Sequence, residues 1–147
     1  MLEAKNLTKE FSGKKVLDNV CFSVGYGEVY CLLGQNGAGK TTTINIFLGF
    51  IEASSVKALI NDVEVRQNIS ATNKMIAYIP EVVQLYGNLS GIEKLDFFSR
   101  LAGFTYTEQD LTKFLSKAGL EEEAQLKRLS VYSKGMRQKV GIAIALS

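Results

Sequence analysis

The chain has no histidine, no tryptophan, a single proline and only two cysteines in 147 residues. Without histidine, imidazole metal sites and imidazole general bases are excluded within this sequence. Cys21 and Cys31 sit in apolar, strand-like runs; this setting predicts buried, reduced thiols, with a structural disulfide as the alternative. No apolar run approaches the roughly 20 residues of a membrane span, so any membrane connection is expected to be peripheral. The start, Met1-Leu2-Glu3-Ala4-Lys5, lacks the basic-then-apolar pattern of a secretory signal, and a cytoplasmic location is expected. The formal charge is only +2, from 17 basic and 15 acidic residues. That balance indicates no nucleic-acid partner. Lys134, Arg137 and Lys139 cluster locally and read as a solvated helix face.

With 46% hydrophobic and 22% charged residues, the composition is that of a globular protein long enough to bury a core. Its most informative segment is Gly34-Gln35-Asn36-Gly37-Ala38-Gly39-Lys40-Thr41-Thr42. This fills the pattern Gly, four residues, Gly-Lys-Thr. Glycines let successive backbone N–H groups turn inward around an anion, because no Cβ blocks the approach. A helix starting near Lys40 aims its positive dipole end at the same place. Lys40 reaches phosphate as a point charge, and the Thr41 hydroxyl suits Mg²⁺. The motif needs a strand before it and a helix after it. Val29-Tyr30-Cys31-Leu32-Leu33 predicts a buried strand, and Thr43 to Leu48, closed by Gly49, predicts a helix.

Elsewhere, Leu2 to Leu7, Val20 to Val24, Lys57 to Ile60 and Met75 to Ile79 predict strands. A loop containing Phe11-Ser12-Gly13-Lys14-Lys15 joins the first two, Asn61-Asp62 predicts a turn, and Pro80 stops the last strand. Beyond Pro80 the pattern turns helical. Ser90-Gly91-Ile92-Glu93 matches a capping box before Ile92, Leu95, Phe98, Leu101 and Ala102 at helical spacing. Thr107 predicts the cap of a second helix bearing Leu111, Phe114, Leu115 and Ala118, ending at Gly119. Ser133 predicts the cap of a third, through Val140, Ile142, Ala143, Ile144 and Ala145. These stripes are read as core.

Tyr132-Ser133-Lys134-Gly135-Met136-Arg137-Gln138 gives the phosphate loop a second element: a hydroxyl and open backbone donors at a helix start. Together the two segments resemble the ATP-binding cassette ATPases, the motor domains of ABC transporters. The resemblance runs from Met1 to Ser147. Gly34 to Thr42 resembles the family's Walker A loop, and Ser133-Lys134-Gly135-Met136 a divergent form of its signature. Phe11 stands where the family places an aromatic that stacks on adenine, and Ile79-Pro80-Glu81 where it places the Q-loop. The resemblance implies an α/β fold, a P-loop NTPase cassette. Its portions are a β-rich core over residues 1–80, Q-loop and helical subdomain over 81–130, and the signature helix over 131–147. It also implies ATP and Mg²⁺ as ligands, with Phe11 and Gly34 to Thr42 binding ATP and Thr41 and Glu81 facing the metal. A transmembrane permease subunit at the inner membrane face and a second cassette, whose ATP the signature residues touch, are the implied partners.

The sequence also departs from that family. Glu81 replaces the usual Gln and changes the charge near the γ-phosphate. Phe11 keeps a π-face without a hydroxyl, and a plain core aromatic is the competing reading. Ala53-Ser54-Ser55-Val56 replaces a Pro- and Gly-containing turn; Val56 would be strained if it had to take the positive φ that glycine supplies, so disorder or rearrangement is expected between Ile51 and Lys57. The family's Walker B Asp and catalytic Glu, its D-loop and its switch His follow the signature helix and are not in this sequence; Ala58-Leu59-Ile60-Asn61-Asp62 comes too early and reads as a turn. The expectation is a cassette truncated before Walker B, with C-terminal core strands missing, no catalytic residues of its own, negligible hydrolysis and a tendency to oligomerise. Two alternatives stay open: a non-hydrolysing ATP-binding regulatory module, or another phosphate-loop enzyme such as a small kinase or GTPase. No guanine-reading Asn-Lys-x-Asp segment is present, since Asn73-Lys74-Met75 lacks the acid.

Overall fold

A computed structural model describes residues 1–83 and 87–147, the side chain of Val56 excepted. The chain divides into two compact units, Met1–Ile76 and Ala77–Ser147.

The first unit is built on a four-stranded antiparallel sheet in the order β2-β1-β3-β4, comprising β1 (Leu2–Phe11), β2 (Lys14–Val24), β3 (Ser55–Ile60) and β4 (Val63–Glu64). β1 and β2 run further than the apolar pattern suggests, because Ser12 (φ 48°) and Gly13 (φ 81°) close a two-residue turn and pair Phe11 with Lys14. Left-handed conformations at both turn positions match the twist of the flanking strands. The Asn61-Asp62 turn (φ 47° and 64°) does the same between β3 and β4, pairing Ile60 with Val63. Asp62 is therefore a turn residue, as the sequence suggests. Val56 lies within β3, so its backbone is extended and the conformation that only glycine would take without strain is not required of it. Ser54 pins this region to β1: its N–H donates to the Thr8 carbonyl (2.9 Å) and its hydroxyl accepts from Glu10 N–H (3.1 Å).

Helix α1 (Lys40–Phe47) packs Ile46 and Phe47 against Ala4, Leu7, Leu17, Ala58, Ile60 and Val65. Gly49 (φ 72°) ends it. A short helix α2 (Ile69–Asn73), capped by Asn68, follows the sheet.

Two expected strands do not form. Val29 to Leu33 and Met75 to Ile79 carry no ladder among the described residues. Val29 is 98% exposed and Leu33 87% exposed, while Tyr30 stacks on Phe22 at 5.0 Å. Apolar, β-branched composition favours an extended chain, but a strand persists only when neighbours accept its backbone hydrogen bonds. The cysteines are corrected with them: both are free, as expected, yet exposed rather than buried. The Cys21 thiol instead faces Asn6, accepting its N–H at 3.1 Å and donating to its side-chain oxygen at 3.0 Å.

The second unit is helical: α3 (Gly91–Leu101), α4 (Glu108–Lys117), α5 (Glu122–Gln125), a 3₁₀ turn at Leu129–Val131 and α6 (Lys134–Leu146). Its core joins Leu95, Leu111, Leu115, Leu120, Ala124, Leu129, Tyr132, Val140 and Ala143. The apolar stripes account for most of this cluster, but Leu101 (72% exposed) and Ile142 (37%) point away from it. The capping box at the start of α3 is complete: Ser90 Oγ accepts from Glu93 N–H, and the Glu93 carboxylate accepts from Ser90 N–H at 2.7 Å. That backbone donor, with the Ser90 hydroxyl, holds the Glu93 carboxyl below its ordinary range. Gly91 meets Tyr132 closely, since a Cβ there would lie 2.8 Å from the phenol oxygen. That phenol donates to the Ala124 carbonyl at 2.5 Å, and burial raises its pKa.

Candidate phosphate-binding site

The loop before α1 is shaped by glycine. Gly37 (φ 86°) and Gly39 (φ 85°) both occupy the left-handed region that L side chains rarely adopt. Gly39 has a second reason to be glycine: a Cβ would lie 2.5 Å from Leu17 Cδ2 and 2.9 Å from the Val16 carbonyl oxygen. The start of β2 therefore forms a wall against which the loop lies. A bond from Ala38 N–H to the Gln35 carbonyl (3.1 Å) tightens the turn. Thr43 is buried and ties itself to Gly39, donating to its carbonyl from both N–H (2.8 Å) and hydroxyl (3.0 Å).

Among the described helices of eight or more residues, only α1 begins without a side-chain cap. Ser90, Thr107 and Ser133 each accept a first-turn N–H of the helix they precede. Gly39 has no side chain to offer α1, so the N–H groups of its first turn are open to an external acceptor. With the helix dipole behind them, that acceptor is best an anion. Lys40 supplies the positive side chain. Its ammonium donates to the carbonyls of Gly34 (2.6 Å) and Gln35 (2.8 Å), folded over the loop it would share with a phosphate. Thr41 follows it with an exposed side chain. Glycine cradle, uncapped helix start, ammonium and free hydroxyl make a donor set that fits a nucleotide's phosphates and Mg²⁺.

The profile for the family described as "ABC transporter" matches residues 17–147. The chain belongs to the ABC transporter family. It is 36% identical over 99% of its length to YhcH, an uncharacterized ABC transporter ATP-binding protein of Bacillus subtilis (strain 168), and covers 47% of that protein. With the bacitracin transport ATP-binding protein BcrA of Enterococcus faecalis it shares 33% identity, again over 99% of this chain and 47% of the relative. A solved ATP-binding subunit of an ABC transporter superposes with a TM-score of 0.82 at 34% identity, over 98% of this chain and 60% of that one. This ABC family chain thus spans about half the length of the curated relatives it matches.

The remaining sequence-predicted site residues distribute over both units. Phe11 lies in the first, at the end of β1, and at 43% exposure it is no core aromatic. Glu81 is exposed in the second. Ser133 is the N-cap of α6, accepting Met136 N–H at 3.2 Å, with Lys134 and Gly135 exposed beside it and Met136 half-buried. Arg137 is not a solvated side chain: it is half-buried, a guanidinium nitrogen lies 3.4 Å from the Leu129 carbonyl, and its Nε is buried without a partner among the described residues. Sequence reasoning missed Val16 and Leu17 as the wall behind Gly39, and Lys9 over the Phe11 ring. Only the latter left a signal, the two-residue spacing that puts side chains on one face of a strand.

Proposed function

We propose that this chain carries the ATP-binding portion of an ABC transporter's motor subunit. The uncapped, glycine-built start of α1 beneath the Lys40 ammonium is the observation that carries the reading. In it, Gly34 to Thr42 would hold the phosphates of ATP and Thr41 would ligate Mg²⁺, while Glu81 stands at the Q-loop position of the sequence. Bound Mg²⁺ would neutralise phosphate charge.

The exposed N-terminus of α6, with Ser133, Lys134, Gly135 and Met136, suits contact with ATP held by a second cassette. A permease subunit is the other partner, placing the protein on the inner membrane face. Among the described residues no helix is long and apolar enough to cross a membrane. Transport coupled to ATP hydrolysis belongs to the whole cassette. The 147 residues contain no Asp-Glu pair after an apolar run and no histidine, the groups that polarise the attacking water in the family.

Phosphate release from Mg-ATP, followed with the purified 147-residue chain alongside equilibrium ATP binding, tests this. Saturable binding with no turnover above background is expected. Turnover at ordinary enzyme rates of about 1 per second or more would overturn the assignment of hydrolysis to groups outside these residues.

A further inference from the structure

We propose that Lys9 is a positioning residue for the nucleotide base, holding one face of the Phe11 ring with its ammonium and leaving the opposite face to stack on a purine. The inference rests on the nucleotide-binding reading above and names a residue that reading does not use. Lys9 and Phe11 are two apart on β1, and the Lys9 Nζ sits 4.9 Å from the Phe11 ring centroid. Among the described residues Lys9 enters no ion pair. Its backbone is fixed on both sides, by Ser54 N–H on the Thr8 carbonyl (2.9 Å) and by Glu10 N–H on the Ser54 hydroxyl (3.1 Å).

An aromatic ring at a hairpin tip, 43% exposed, has several rotamers open to it unless a neighbour selects one. A cation over one face selects the orientation. It also draws π-density toward itself, which reduces repulsion between the opposite face and the π-cloud of a stacked base. The tip belongs to the strand that backs the phosphate loop. Val16 touches the phosphate loop at Gly39, and Phe11 pairs with Lys14, two residues earlier on the same strand. At a strand rise of about 3.3 Å per residue the pair lies about 7 Å along β2 from that contact, a separation that the sugar between base and phosphate bridges.

Calorimetric titration with ATP and with inorganic tripolyphosphate, which has no base, separates this role from a general charge effect. Lys9→Met is expected to weaken ATP about two- to fivefold and leave tripolyphosphate unchanged, and Lys9→Arg to restore ATP. On a Phe11→Ala background, Lys9→Met should have no further effect. Unchanged or tightened ATP binding by Lys9→Met, or equal weakening of both ligands, would overturn the proposal. Equal binding of both ligands by the unmodified chain would remove the Phe11 platform and Lys9's role with it, while sparing the phosphate-loop reading. Binding of neither would bring down that reading and this proposal together.

Discussion

A Cβ at Gly39 would sit 2.5 Å from Leu17 Cδ2, so the phosphate loop and the second strand are fitted to each other at a position that leaves no room for a side chain without a shift. Gly39→Ala adds left-handed backbone strain to that collision, and the two together are expected to cost about 2–4 kcal/mol. Thermal unfolding should show the loss, and ATP binding should fall with it. Leu17→Ala in the same chain should recover part of the phosphate binding by removing the contact with Leu17 Cδ2, though neither the 2.9 Å approach to the Val16 carbonyl oxygen nor the strain at φ 85°.

Lys40 has the opposite profile. Its ammonium bonds only loop carbonyls at an incompletely buried site, so Lys40→Ala should change stability by about 0.5 kcal/mol or less. Loss of a charged hydrogen bond to phosphate is worth about 1.5–3 kcal/mol, a weakening of ATP binding by roughly 10- to 150-fold. Chemical denaturation and ATP titration of the same variant check both halves.

In the helical unit, Gly91 and Tyr132 are predicted to be coupled. Gly91→Ala forces a Cβ to within 2.8 Å of the phenol oxygen and is expected to cost about 1–3 kcal/mol. Tyr132→Phe loses the bond to the Ala124 carbonyl and should cost about 1–2 kcal/mol. The double variant should be less destabilised than the sum, because the phenol oxygen that Gly91→Ala strikes is gone.

Acid should weaken the helical unit through the caps of α3 and α4. Glu93 is held below 4.5 chiefly by Ser90 N–H, and Asp110 below 3.8 chiefly by the Thr107 hydroxyl and then Lys113. In that range the unfolded chain binds protons that the folded chain refuses, so stability rises with pH. The contribution is complete above the ordinary carboxylate values and disappears as pH falls through the lowered folded ones. Glu93→Gln should flatten the acid limb of a stability–pH profile and leave neutral pH behaviour of the remaining groups intact.

Local signals were the ones the sequence stated clearly. Ser90, Thr107 and Ser133 cap their helices as their spacing predicts, Asn61-Asp62 turns the chain, and α1 starts at Lys40. Each rests on hydrogen bonds within a few residues. What failed depends on neighbours distant in the chain. Val29 to Leu33 has strand composition without a strand beside it, and Leu101 and Ile142 keep helical spacing while facing away from the core. The site divides in the same way: the phosphate loop is one contiguous segment, but its wall at Leu17 becomes visible only once β2 is folded against it. Arg137, read as a solvated charge, is drawn inward by the Leu129 carbonyl, a partner that spacing alone does not indicate.

The uncapped start of α1 offers its open N–H groups and the Lys40 ammonium to phosphate. Equilibrium titration of the 147-residue chain with ATP, beside Lys40→Ala, tests this directly. Saturable, one-to-one binding is expected, weakened at least about tenfold by Lys40→Ala with unfolding unchanged. No binding by the unmodified chain, or equal binding by the two, would contradict it.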